Sequence, residues 1–87
     1  MTSPRDRSVV DGVRDCLQAV LSLDEEAAKA ITMETTPLVL PRWTSLTHLP
    51  LMLEVERRFD VVFAADEIAS LASVRALVAT IEQLRST

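Results

Sequence analysis

Residues 43–59 read WTSLTHLPLMLEVERRF, and this stretch carries two separate apolar faces. At the period of an α-helix, one arc is wide enough to face a protein core, and its members are Leu51, Met52, Val55 and Phe59. A second arc lies on another side of the same helix and contains Leu46, Leu49 and Leu53. We therefore expect a helix over about 45–58 that packs through the first arc and presents the second arc to a partner. The alternative is that a loop covers the second arc.

The segment that surrounds this helix is acidic. Residues 44–68 hold five acidic and two basic side chains, which places −3 of the chain's net charge of −4 there. Charged side chains at the edge of an apolar patch steer the encounter with a partner. We expect Glu54 and Glu56 to guide partner proteins together with the leucines of the second arc.

Three further helices are predicted, one before this helix and two after it. Apolar residues recur at helical spacing over 4–21 and 74–85, with Ser3 and Ser73 as the N-caps, and a short helix is predicted over 65–71. The single glycine disfavours β-hairpins. The prediction is one all-α domain over 1–87, a small four-helix bundle of three long helices and one short helix.

A long loop is expected between the first and second helices, with one helical turn over 24–30. Its apolar residues are candidates to hold it across the core, namely Ile31, Leu38 and Leu40. Trp43 ends the loop, either as a large anchor beneath it or as the border of a partner surface.

In the core, Val55 and Phe59 are expected to be buried against the first and last helices, on Val13, Leu17, Val78 and Ile81. Cys16 lies on the apolar face of the first helix and is expected to be a small buried hydrophobe.

Composition excludes several classes of function. The net negative charge disfavours nucleic-acid binding, and one cysteine with one histidine makes neither a disulfide nor a cysteine-rich zinc site. The sequence contains no apolar run long enough to span a membrane, and residues 1–8 do not lead into a signal-peptide core. We expect a cytoplasmic monomer.

The order of residues along the chain resembles the acyl carrier proteins, in which Asp-Ser-Leu opens the second helix. Here Thr-Ser-Leu occupies 44–46, Phe-Asp-Val follows the helix at 59–61, and Ser-Val follows the short third helix at 73–74. The resemblance extends over nearly the whole chain and implies a right-turning four-helix bundle. It also implies that Ser45 is esterified by 4′-phosphopantetheine, which a phosphopantetheinyl transferase delivers from coenzyme A.

A carrier of this family holds an acyl or related acid as a thioester and moves it between the enzymes that load and accept it. Two alternatives stay open, a peptidyl carrier and an unmodified carrier-like adaptor that binds proteins. His48 follows Ser45 by three residues, but no third member of a catalytic triad accompanies the pair, so we expect no catalysis by this chain.

The chain departs from the family pattern at three positions. Thr44 replaces the aspartate and is expected to belong to the partner-binding residues and to cap the helix, without contributing a charge. Arg42 replaces a common glycine, and Pro50 lies within the helix. Because proline lacks an N–H, the helix is expected either to kink or to begin effectively at Thr47.

Overall fold

The computed structural model describes the backbone of residues 4–85 and the side chains of residues 9–85. Over that range the protein is all-helical, with no strand, and this confirms the predicted fold class. Its helices are α1 (Pro4–Leu21), α2 (Glu25–Lys29), α3 (Ser45–Phe59), α4 (Ala65–Ile68) and α5 (Val74–Arg85). The expected N-cap Ser3 lies outside the described residues.

The helix boundaries follow local signals in the sequence. Ser73 caps α5, since its hydroxyl accepts a 3.0 Å hydrogen bond from the Ala76 N–H. Asp24 caps α2 by accepting from the Ala27 N–H at 2.8 Å. The predicted short helix over 65–71 is shorter in the structure and ends at Ile68.

The core lies where α3 and α5 pack against α1. Leu51, Met52 and Val55 of the first arc are fully buried, as predicted. They join fully buried side chains of the other two helices, namely Val13, Leu17, Leu77 and Ile81. The expectation for Phe59 was too strong, because Phe59 is only half-buried and packs at the edge of the core.

The long connection between α1 and α3 is hydrogen-bonded to the start of α5 and packs on the core. The backbone carbonyls of Met33 and Thr35 accept hydrogen bonds of 3.1 and 3.0 Å from the first N–H groups of α5. Ile31 is buried and Leu40 is partly buried, as expected of residues that hold a loop on a core. The prediction for Leu38 is wrong, since its side chain is 95% exposed.

Candidate functional site

The site begins with the cap of α3, which Thr44 provides. Its hydroxyl accepts from the Leu46 N–H at 3.2 Å, while its own N–H donates to the Thr47 hydroxyl at 2.8 Å. This reciprocal pair is a capping box, and it satisfies donors that a helix N-terminus otherwise leaves without partners. The cap predicted for Thr44 is confirmed. Of the two alternatives for Pro50, a start at Thr47 is excluded, because α3 begins at Ser45, as predicted, and contains Pro50 within it.

Arg42 fixes the position of this cap relative to α1. Its guanidinium donates to the carbonyls of Leu21 and Ser22 at 3.1 and 2.9 Å, and its own carbonyl accepts from the Thr47 hydroxyl at 2.8 Å. A cation near the last carbonyls of a helix is favourable to the helix dipole. Arg42 thus connects the C-terminal end of α1 to the N-terminal end of α3.

Ser45 is the first residue of α3, and its side chain is exposed. Among the described residues, none forms a hydrogen bond with its hydroxyl. The positive end of the dipole of a 15-residue helix lies beside this oxygen. The position suits an oxygen that carries an anionic group, because helix N-termini stabilise negative charge.

Behind Ser45 lies a hydrogen-bonded chain of three groups. The indole N–H of Trp43 donates to His48 Nδ1 at 2.9 Å, and His48 Nε2 lies 2.6 Å from the carbonyl oxygen of Ile68. An indole N–H can only donate, so Nδ1 accepts, and the proton of the neutral imidazole is on Nε2. The two rings are stacked, with centroids 6.1 Å apart. The chain connects the loop, α3 and the end of α4.

This chain of groups was not predicted from the sequence. Trp43 is only 2% exposed, so its predicted role as an anchor is confirmed, and it also forms part of a surface groove. One sequence signal could have identified these hydrogen-bonded groups: a tryptophan and a histidine lie on either side of a helix start, close enough for their rings to stack.

The groove beside Ser45 has a volume of about 360 Å³. Its walls combine apolar and polar groups from the loop, from the start of α3 and from the segment after α4: Pro37, Trp43, Thr44, Ser45, His48, Ala69 and Ala72. A groove with mainly apolar walls and a few polar groups is the usual form of a small-ligand site. Ser45 is part of its wall.

The second arc of α3 is exposed in the structure. Leu46, Leu49 and Leu53 keep 86%, 52% and 58% of their surface accessible, so the long loop does not cover them. They lie on the same helix as Ser45 and begin directly after it. We call these three residues the leucine face.

The two glutamates expected to guide partners are both engaged within the chain. Glu54 forms an ion pair with Arg57, and this hydrogen bond raises the pKa of Arg57. Glu56 accepts a 2.7 Å hydrogen bond from the Phe63 N–H and so holds the turn after α3. The sequence alone did not indicate this second, internal role.

Cys16 is buried, as predicted, at 3% exposure. Burial raises the pKa of its thiol to about 11, and the nearby Glu54 carboxylate acts in the same direction. The thiol is therefore protonated at neutral pH and is a poor nucleophile.

Among the described residues, the His, Cys, Asp and Glu side chains form no group of three or more that could hold a metal ion. None of the described helices has both the length and the apolar character that crossing a bilayer requires.

Comparison with protein-family models found no match, and comparison with curated protein sequences found no match either.

Proposed function

We propose that this chain is a cytoplasmic, monomeric carrier protein that bears 4′-phosphopantetheine on Ser45. One observation supports the proposal above the others: an exposed hydroxyl, which none of the described residues hydrogen-bonds, stands at the first residue of a long, capped helix. A phosphodiester formed on that oxygen would carry a negative charge beside backbone N–H groups and the positive helix end, where it is stabilised.

The residues at this position fit the group. Ser45 would hold the phosphodiester, and the adjoining groove of about 360 Å³ offers apolar walls beside the attachment point. Thr44 maintains the first turn of α3 through hydrogen bonds and contributes no charge. When attached, the group supplies a thiol on which an acyl or related acid is held as a thioester.

The hydrogen bonds of the His48 ring favour a carrier over an enzyme. Both of its ring nitrogens are engaged, one by Trp43 and one by Ile68, so neither is free to take a proton from Ser45. Activation of the serine is then the task of the phosphopantetheinyl transferase. The buried, protonated Cys16 offers no alternative nucleophile.

The leucine face is the proposed contact for that transferase and for the enzymes that load and accept the acid. Exposed apolar residues rimmed by charge are typical of protein-binding surfaces. The rim includes Glu54 and Arg57, which neutralise each other, and Glu56, whose carboxylate is held by the Phe63 N–H. We propose that apolar contact contributes more to this association than charge does.

The test is intact-mass measurement after incubation with coenzyme A and a broad-specificity transferase. Transfer releases adenosine 3′,5′-bisphosphate and adds one phosphopantetheinyl group to the serine oxygen. We expect full modification of the wild type and none of Ser45→Ala. The matched control is Ser70→Ala, which removes another exposed serine hydroxyl and should be modified like the wild type.

A folded wild type that stays unmodified would contradict the carrier proposal and favour the unmodified adaptor, for which the leucine face is the relevant surface. Modification that persists in Ser45→Ala would contradict the assignment of Ser45. Loading assays with acyl and aminoacyl donors then distinguish an acyl carrier from a peptidyl carrier.

A further inference from the structure

His48 forms the central link between two walls of the groove beside Ser45. On one side it accepts from the buried indole of Trp43, and on the other it donates to the Ile68 carbonyl at the end of α4. These two bonds differ in one respect. The bond to Ile68 uses an N–H that both the neutral and the protonated imidazole possess, whereas the bond to Trp43 requires a nitrogen without a proton.

The charged groups on the elements around His48 decide whether a protonated Nδ1 would find a new hydrogen-bond partner. Of the described residues that line the groove, His48 alone is ionisable at acidic or neutral pH. From α4, Asp66 is exposed, and Glu67 accepts from the Ala64 N–H. From the loop, Arg42 donates to the carbonyls of Leu21 and Ser22, and on α3 itself Glu54 pairs with Arg57. Among the described residues, no carboxylate forms a hydrogen bond with the His48 ring.

We propose that His48 is a pH-sensitive latch that holds the Trp43 side of the groove closed. When Nδ1 takes up a proton, two N–H donors face each other across the present 2.9 Å contact, and the hydrogen bond between the rings is lost. The bond to Ile68 persists. The Trp43 side therefore opens while His48 and α4 stay together.

The opening changes access to Ser45. Hydrogen bonds hold the neighbouring Arg42 and Thr44 in place, so the backbone at Trp43 stays where it is and only the indole ring turns away from His48. Displacing the indole widens the groove next to the serine hydroxyl. The latch does not depend on whether Ser45 carries a group, so it can be tested on the unmodified protein.

The experiment exploits the presence of a single tryptophan. The pH is lowered in steps from 8 to 5. A protonated imidazole can quench a stacked indole without movement. The readouts are therefore the emission wavelength and quenching by acrylamide, with the His48 ring followed by NMR and the helix content by circular dichroism.

We expect the Trp43 emission to shift to longer wavelength and its acrylamide quenching constant to rise severalfold, with the midpoint at which His48 titrates. His48→Gln has no titrating ring and should show no transition in this range. Trp43→Phe lacks the opposing N–H, so the fall in its urea midpoint from pH 8 to 5, followed by circular dichroism, should be smaller than that of the wild type.

Three results would overturn the proposal: a constant emission wavelength and quenching constant while His48 titrates, a His48 that stays neutral down to pH 5, or the same transition in His48→Gln. If His48→Gln does not fold, the comparison of the wild type with Trp43→Phe decides, and equal falls in the urea midpoint would overturn the latch.

Discussion

Gly12 of α1 lies directly beneath the ring of Phe59 at the end of α3. A Cβ on Gly12 would lie 3.0 Å from Phe59 Cε1 and closer still to Cζ. The guanidinium of Arg85 covers the same ring at 5.8 Å from its centroid. The absence of a side chain on Gly12 is therefore what allows α1 and α3 to approach each other at this level.

This relationship predicts a measurable coupling between the two residues. Gly12→Ala gains about 1 kcal/mol of helix propensity but displaces the Phe59 ring, whereas in a Phe59→Leu background the alanine has room. We expect Gly12→Ala to be less favourable in the wild type than in Phe59→Leu by about 1 kcal/mol or more, measured by urea unfolding of all four proteins. Equal effects in both backgrounds would contradict the contact.

Glu56 and Glu54 offer a matched pair of acidic residues on one helix. Glu56→Gln keeps an oxygen for the Phe63 N–H but weakens a charge-assisted hydrogen bond, and Glu56→Ala removes the acceptor from a half-buried site. We expect Glu56→Ala to lower the free energy of unfolding by about 1–3 kcal/mol, with Glu56→Gln between it and the wild type.

The control for that series is Glu54→Ala, which breaks an i, i+3 pair with an exposed arginine and should lower the free energy of unfolding much less than Glu56→Ala does. Chemical denaturation at neutral pH gives all four values. A Glu54→Ala variant as unstable as Glu56→Ala would show that the Phe63 contact does not hold the turn.

The raised pKa of the Cys16 thiol makes the free energy of unfolding depend on pH in the alkaline range. Folding raises its pKa from 9.0 to about 11, so the folded state favours the protonated thiol. The corresponding stability is fully present below pH 9 and is lost as the pH rises towards 11. We expect the free energy of unfolding to fall more steeply between pH 9 and 11 in the wild type than in Cys16→Ala.

Alkylation provides an independent measurement. At pH 8, iodoacetamide should leave Cys16 unmodified in the native protein and modify it in urea, because the buried thiol is both inaccessible and protonated. Rapid alkylation of the native protein would show that α1 does not hold the thiol in the core.

The predictability of the fold from sequence varied with the kind of signal. The apolar period of α3 separates Leu51 and Val55, which are buried, from Leu46 and Leu53, which are exposed. Periodicity could not determine how deeply Phe59 is buried, because a residue at a helix end is covered only if another element reaches it.

At the candidate site, the position of Ser45 and the cap by Thr44 were accessible from local sequence. The link from His48 to Ile68 was not, because a hydrogen bond across 20 residues depends on where α4 packs. The internal role of Glu56 was hidden for the same reason, since its partner Phe63 lies beyond the turn that it stabilises.

Thr44 offers a test of how charge at the cap affects modification of Ser45, and this test rests on the proposed function. Thr44→Asp and Thr44→Asn both keep a side-chain oxygen that caps α3, but only aspartate adds a negative charge at the helix N-terminus. We expect a broad-specificity transferase to modify Thr44→Asp faster than the wild type, because the carboxylate can pair with a basic group on the enzyme. Thr44→Asn should be modified at the wild-type rate.

The measurement is the initial rate of mass increase with coenzyme A in excess, after circular dichroism has established that all three proteins are folded. Equal rates in the three proteins would contradict a role for charge at the cap and leave Ser45 as the attachment site. Equal acceleration in Thr44→Asp and Thr44→Asn would attribute the effect to capping, since asparagine and aspartate differ in charge but hardly in shape. Modification of none of them, with all three folded, would contradict the carrier function itself.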